Sequence, residues 1–153
     1  MSVNVEEARP DSPEAVRLLA ELDAYLNEHP YPPESRHAFS VDQLLREGVA
    51  FFITRREGEP AGCGGVKLFG DEYGEVKRMY VRPAFRGLGL GRAMLDRLAE
   101  YARERRVRLL RLETGIYQTE AIGLYERYGF RRRPPFGEYR DDPMSVYFEK
   151  SIV

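Results

Sequence analysis

The chain has no tryptophan, one cysteine and two histidines in 153 residues. With Cys63 alone, neither an internal disulfide framework nor a cysteine-rich zinc site can form. Cys63 itself, inside "AGCGGV", reads as a small buried residue. His29 and His37 fall in a proline-rich segment at a spacing unlike a helical metal pair, so no metal is expected. The longest uninterrupted apolar run, "VAFFI", is far too short to cross a bilayer, and "MSVNVEEARP" lacks the apolar centre of a signal peptide. A cytoplasmic protein without a membrane partner is the expectation. Charge of one sign is also missing: 24 basic residues face 25 acidic ones. Bulk attraction to nucleic acid is therefore not expected, and any basic function must be local.

What is present fits one domain over residues 1–153, long enough to bury a core without staples. Ser12 and Pro13 open a helix whose Ala15, Leu18, Leu19, Leu22, Tyr25 and Leu26 repeat at helical spacing until Pro30. "HPYPPESRHAF" is too proline-rich for a helix, and Ser40 with Gln43 forms a capping box for a short helix ending at Gly48. "VAFFITR", "PAGCGGVKLF" and "EVKRMYV" read as three antiparallel strands joined by tight turns. A helix from Leu90, the strand "VRLLRLET", a helix from Gln118 or Thr119 to Gly129, the short strand "FRRR" and a final strand "MSVYFEK" complete the order. The fold class is thus α/β: a mixed sheet with antiparallel N-terminal strands and one central parallel βαβ crossover. Ligands in such folds go beyond the carboxyl ends of the strands, where a turn enters a helix.

That turn is "VRPAFRGLGLGRAML". Gly87, Gly89 and Gly91 each cost local order relative to alanine, so the bare backbone needs a use. A helix N-terminus carries unpaired N–H groups and a partial positive charge, and glycines let phosphate oxygens approach them. With Arg86 and Arg92 on either side, the segment reads as a pyrophosphate cradle, against the plainer alternative of a flexible helix-capping turn. It is not a P-loop, because Lys and Ser/Thr do not follow the last glycine. A nicotinamide-dinucleotide domain is the rival, with Glu113 near the place of a ribose-binding acid, but "RPAFR" intervenes where that fold turns tightly and only one βαβ unit exists.

The stretch resembles the acyl-CoA-binding motif of the GNAT superfamily of N-acetyltransferases: Gln or Arg, two residues, Gly, one residue, Gly or Ala. Arg86, Gly89 and Gly91 stand at those positions, and "EAIGLYERYGF" is similar to the family's later helix and following strand. The element order agrees across about residues 5 to 150. The resemblance implies a GNAT-like acyl-CoA N-acyltransferase fold that takes acetyl-CoA in a V-shaped opening between "EVKRMYV" and "RLLRLET". Met79, Tyr80 and Val81 would pair with pantetheine, and Gly87, Leu88, Gly89, Leu90, Gly91 and Arg92 would hold the pyrophosphate behind Arg86. Gln118 stands where many members carry an asparagine that meets coenzyme A. The implied reaction is direct transfer to a primary amine, with a non-catalytic acyl-CoA sensor on the same scaffold as the alternative.

Such a transfer needs a neutral amine, and an alkylamine is only about one part in 2,500 neutral at pH 7. It also gains from a proton donor to the departing thiolate. By its place in the motif, Tyr125 is the expected donor; Glu75, eleven residues before Arg86, is the first base candidate, and Glu113 competes with it. The loops "HPYPPESRHAF" and "PPFGEYRDDP" are expected to wall the acceptor side, with Tyr31 and Tyr139 as aromatic surface and Arg36 or Arg140 against a carboxylate. A small-molecule amine is the expected partner; monomer or homodimer is not set by the sequence.

Overall fold

The computed structural model describes residues 2–153. Seven strands form one mixed sheet in the order β1-β2-β3-β4-β5-β7-β6: β1 Val3–Glu7, β2 Ala50–Arg56, β3 Glu59–Phe69, β4 Tyr73–Val81, β5 Leu109–Gly115, β6 Arg131–Arg133 and β7 Ser145–Ser151. Four helices cover it: α1 Pro13–Leu26, α2 Val41–Arg46, α3 Leu90–Glu104 and α4 Thr119–Tyr128. The first strand was not expected. "VNVEE" is an edge strand antiparallel to β2, mostly polar and exposed, with Val5 alone partly buried against the core, so its alternation is too short to stand out in the sequence.

The helix signals act as read. The Ser12 hydroxyl accepts from the Ala15 N–H at 3.3 Å, and Ser40 and Gln43 complete a reciprocal capping box. The Leu18, Leu19 and Leu22 face of α1 packs with Phe51 and Ile53 on one side of the sheet. On the other side Met94, Leu95, Leu98 and Ala102 of α3 pack against Phe52, Val66, Leu110, Leu112 and Phe148. Each such fully buried aliphatic or aromatic side chain stabilises the fold by roughly 1.5–3 kcal/mol. Because side chains alternate along a strand, Val76 and Leu112 enter the α3 core while Glu75, Lys77 and Glu113 face the other way.

Two irregularities open the sheet. The parallel ladder between β4 and β5 pairs only Gly74 with Leu110 and Glu75 with Arg111, so the strands part beyond those residues. The register of β3 against β4 shifts between Cys63 and Gly65, and opposite that shift Arg78 takes a left-handed backbone, φ 57°. A non-glycine residue there is strained. Its guanidinium is buried and tied to α1, donating to Asp23 at 2.6 Å and to the Leu19 carbonyl at 3.3 Å, which holds the bulge in place.

Candidate active site

The parted strands border a cavity of about 800 Å³ that runs from the start of α3 to the α1–α2 loop. Its α3 end is mostly backbone. Gly87 (φ 77°) and Gly89 (φ 80°) have left-handed conformations, and Gly89 caps α3 with no side-chain partner for the first N–H groups. A Cβ at either would meet nothing beyond its own chain neighbours within 4 Å, so space is kept open beside that helix terminus. Gly91 serves packing: a Cβ there would lie 2.7 Å from Cδ2 of Leu124 in α4. Arg86 donates from Nε to the Val81 carbonyl at 3.2 Å, stacks its guanidinium 5.0 Å from the Tyr25 ring centre, and meets Glu120 at 3.0 Å. Arg92, Leu90, Met79, Tyr80 and Val81 also line this end, whereas Leu88 points to solvent.

In the middle, Tyr125 reaches the cavity from α4, inside the α3 core and 4% exposed. Burial drives its phenol well above the ordinary range, and the nearby Glu113 charge pushes the same way. The neutral, proton-bearing form is therefore held. Tyr128, on another face of α4, donates to Asp96 at 2.6 Å and joins α4 to α3.

The far end is built from side chains. Glu75 Oε2 accepts from Tyr139 Oη at 2.5 Å and lies 3.0 Å from Lys77 Nζ. That ammonium also donates to Tyr139 at 3.3 Å and sits 3.9 Å from the centre of the Phe39 ring. Both members of the ion pair are buried. Glu113 has a different setting: it accepts from Ser145 Oγ at 2.8 Å, and burial pushes its carboxyl up to about 7, with Lys77 opposing and Glu75 and Asp142 adding to the rise. Tyr31 is buried, and its hydroxyl accepts from the Tyr117 N–H at 2.9 Å and from the Gln118 amide at 3.2 Å. It lies so close to the β5–α4 turn that a Cβ on Gly115 would stand 2.1 Å away. Arg36 donates from Nε to the Tyr31 carbonyl at 3.1 Å and from Nη1 to Asn27 Oδ1.

The cavity therefore gathers nearly every residue expected at the site. Arg140 is not among its lining residues; only its carbonyl is engaged, accepting from Tyr147 at 2.7 Å. Gln118 lines the cavity, but its amide is turned to Tyr31. The Lys77, Phe39 and Ser145 contributions were not read from the sequence, since nothing local distinguishes them. Among the described residues, no three His, Cys, Asp or Glu side chains gather as a metal site would require, and no helix is long and apolar enough to cross a membrane.

Residues 14–130 match the model of the acetyltransferase (GNAT) family. An IAA acetyltransferase of Azospirillum brasilense is 40% identical over 152 residues, spanning 99% of both chains. The uncharacterized N-acetyltransferase YsnE of Bacillus subtilis is 34% identical over 123 residues, 79% of this chain and 82% of that one. The crystal structure of a Klebsiella pneumoniae protein assigned to the acyl-CoA N-acyltransferases superposes with a TM-score of 0.83 at 35% identity, covering 99% of this chain and 98% of the other. With the motif, the opened sheet and these relatives in agreement, the chain belongs to the acetyltransferase (GNAT) family and is an acyltransferase.

Proposed function

We propose that this enzyme moves an acetyl group from acetyl-CoA to the primary amine of a small molecule, directly and without an acyl-enzyme. The observation that carries the proposal is one cavity lined both by Tyr125, whose burial raises its phenol, and by Glu113, whose burial pushes its carboxyl up to about 7, from opposite faces of the opened sheet. The pyrophosphate would rest on the N–H groups at the start of α3 with Arg86 beside it, and pantetheine on the β4 edge freed where the β4–β5 ladder ends. Arg86 would exchange Glu120 for phosphate.

Glu113 is the base in this proposal, in place of Glu75. A carboxylate that already accepts from Tyr139 and pairs with Lys77 has little left to offer an incoming ammonium. Glu113 has one partner, and a carboxyl near 7 suits proton removal at neutral pH. The incoming ammonium gives one proton to Glu113, which passes it to solvent, and the neutral nitrogen then bonds to the acetyl carbon. The carbon–sulfur bond breaks, Tyr125 protonates the leaving thiolate, and the remaining surplus proton on nitrogen returns to the Tyr125 phenolate. The test is thiol release from acetyl-CoA against a panel of small amines, with the acetylated amine identified by mass. Binding of acetyl-CoA without amine-dependent release would make the protein a sensor.

A further inference from the structure

We infer that Arg36 is a carboxylate anchor, and that the acceptor is an amine carrying its own carboxylate, as in an amino acid. This rests on the proposed acetyl transfer and names the acceptor class for the same site. Lys77, the ammonium of the acceptor side, is already answered by Glu75. The Glu113 carboxyl is the group assigned to the amine. Arg36 differs. Its partners among the described residues are two uncharged oxygens, the Tyr31 carbonyl and Asn27 Oδ1, so its positive charge stands at the exposed rim of the cavity without a carboxylate.

It is also held still. An arginine that only solubilises a loop gains nothing from a fixed orientation, which costs on the order of 1–2 kcal/mol of rotamer entropy. Here the Arg36 guanidinium is fastened to the backbone of Tyr31, and the Tyr31 hydroxyl is fastened in turn to Tyr117 N–H and the Gln118 amide at the β5–α4 turn. Gly115 in that turn lacks the side chain that would push Tyr31 away. The strand leading into this turn carries Glu113. The anchor and the proposed base are thus parts of one braced unit. A guanidinium with donors still free presents a fork suited to a carboxylate, and preorganisation reduces the entropy lost on binding. The nearer sequence neighbours Glu28 and Glu34 are exposed and make no ion pair with it.

The experiment compares standard L-amino acids and short ω-amino acids, each against its carboxamide, by thiol release from acetyl-CoA. The wild type should prefer at least one acid over its amide by roughly 10- to 100-fold in kcat/KM, the scale of one charged hydrogen-bonded contact. In Arg36→Ala that ratio should collapse toward one, and Arg36→Lys, which keeps charge but loses the fork, should fall between. Calorimetric titration with coenzyme A confirms that each variant retains a folded donor site. A wild type that turns over amines with no acid-over-amide preference overturns the inference and leaves the transferase proposal standing, as does a preference that survives in both variants. If no amine releases thiol, the transferase proposal fails first and the anchor falls with it.

Discussion

The two ends of the cavity are made differently. The donor end uses main chain: a helix terminus, left-handed glycines and a free strand edge, with Arg86 and Arg92 as the added charges. The acceptor end uses interlocked side chains from four separate stretches: Arg36 and Phe39, Glu75 and Lys77, Glu113, and Tyr139 with Ser145. Backbone recognition suits a donor whose phosphates are always the same. Side-chain recognition lets the acceptor change while the fold remains. The donor end should therefore respond to conformational substitutions through affinity, and the acceptor end to charge substitutions through rate and pH.

The largest effect is expected where the ends meet. Tyr125→Phe keeps the ring packed against Phe130 and Phe148 but deletes the proposed proton donor. Turnover should fall about 10²-fold or more with donor affinity unchanged, measured by steady-state kinetics beside calorimetry. Undiminished turnover would return Tyr125 to a packing role. Next are the two carboxylates. In the wild type, kcat/KM should rise with pH and level off above about 7, as Glu113 becomes the acceptor of a proton. Glu113→Gln should erase that limb and lower the plateau by roughly 10²-fold. Glu75→Gln should keep the limb and instead lower the melting temperature, because Lys77 is left buried without its carboxylate. An exchange of these two outcomes would restore Glu75 as the base.

This contrast also explains what could be read in advance. The donor end was legible because its parts are consecutive: Arg86, Gly89 and Gly91 lie within six residues, and Pro13, Ser40 and Gln43 marked helix starts by local chemistry. The acceptor end depends on pairs far apart in the chain, such as Glu75 with Tyr139 and Glu113 with Ser145, for which spacing carries no signal. Glu75 is the first base candidate in the sequence, ahead of Glu113, and only the fold brings Lys77 and Tyr139 onto its carboxylate. Arg36 and Arg140 looked alike too; both are exposed, and only the folded loops place Arg36, and not Arg140, among the residues that line the cavity. The edge strand β1 escaped because its alternation is only Val3 and Val5 long, with Val5 alone partly buried against the core.

At the donor end, Gly89→Val is the sharper probe of the backbone claim. The left-handed conformation at residue 89 is costly for a β-branched residue, on the order of 1–2 kcal/mol, so some loss of stability is expected at once. Beyond its own chain neighbours nothing lies within 4 Å of the new Cβ, so the remaining damage should fall on the ligand. Coenzyme A affinity should drop roughly tenfold beyond what the shift in melting temperature explains. An unchanged affinity in the folded variant would separate the glycines from phosphate binding.

The smallest expected effect concerns stability rather than rate. Burial raises the Glu113 carboxyl from the ordinary range to about 7 in the folded chain, so the folded state binds a proton that the unfolded state has released across the interval between. Below the unfolded value both states are protonated and nothing is lost. As pH rises through that interval the folded protein must either keep a proton against the solution or bury a charge, and stability falls until about pH 7, where the loss is complete. Water in the open cavity moderates the penalty, leaving a shift of a few °C for a domain of this size. Glu113→Gln removes the charge altogether, so the variant should melt higher than the wild type at pH 8, with the advantage fading as pH is lowered toward 4. Ser145 donates its hydroxyl to the carboxylate and can donate equally to the amide oxygen, so that contact survives the change. Equal melting differences at pH 4 and pH 8 would mean that Glu113 titrates like a surface carboxylate. The acceptor end would then carry no stored cost, and the proposed base would lose its support.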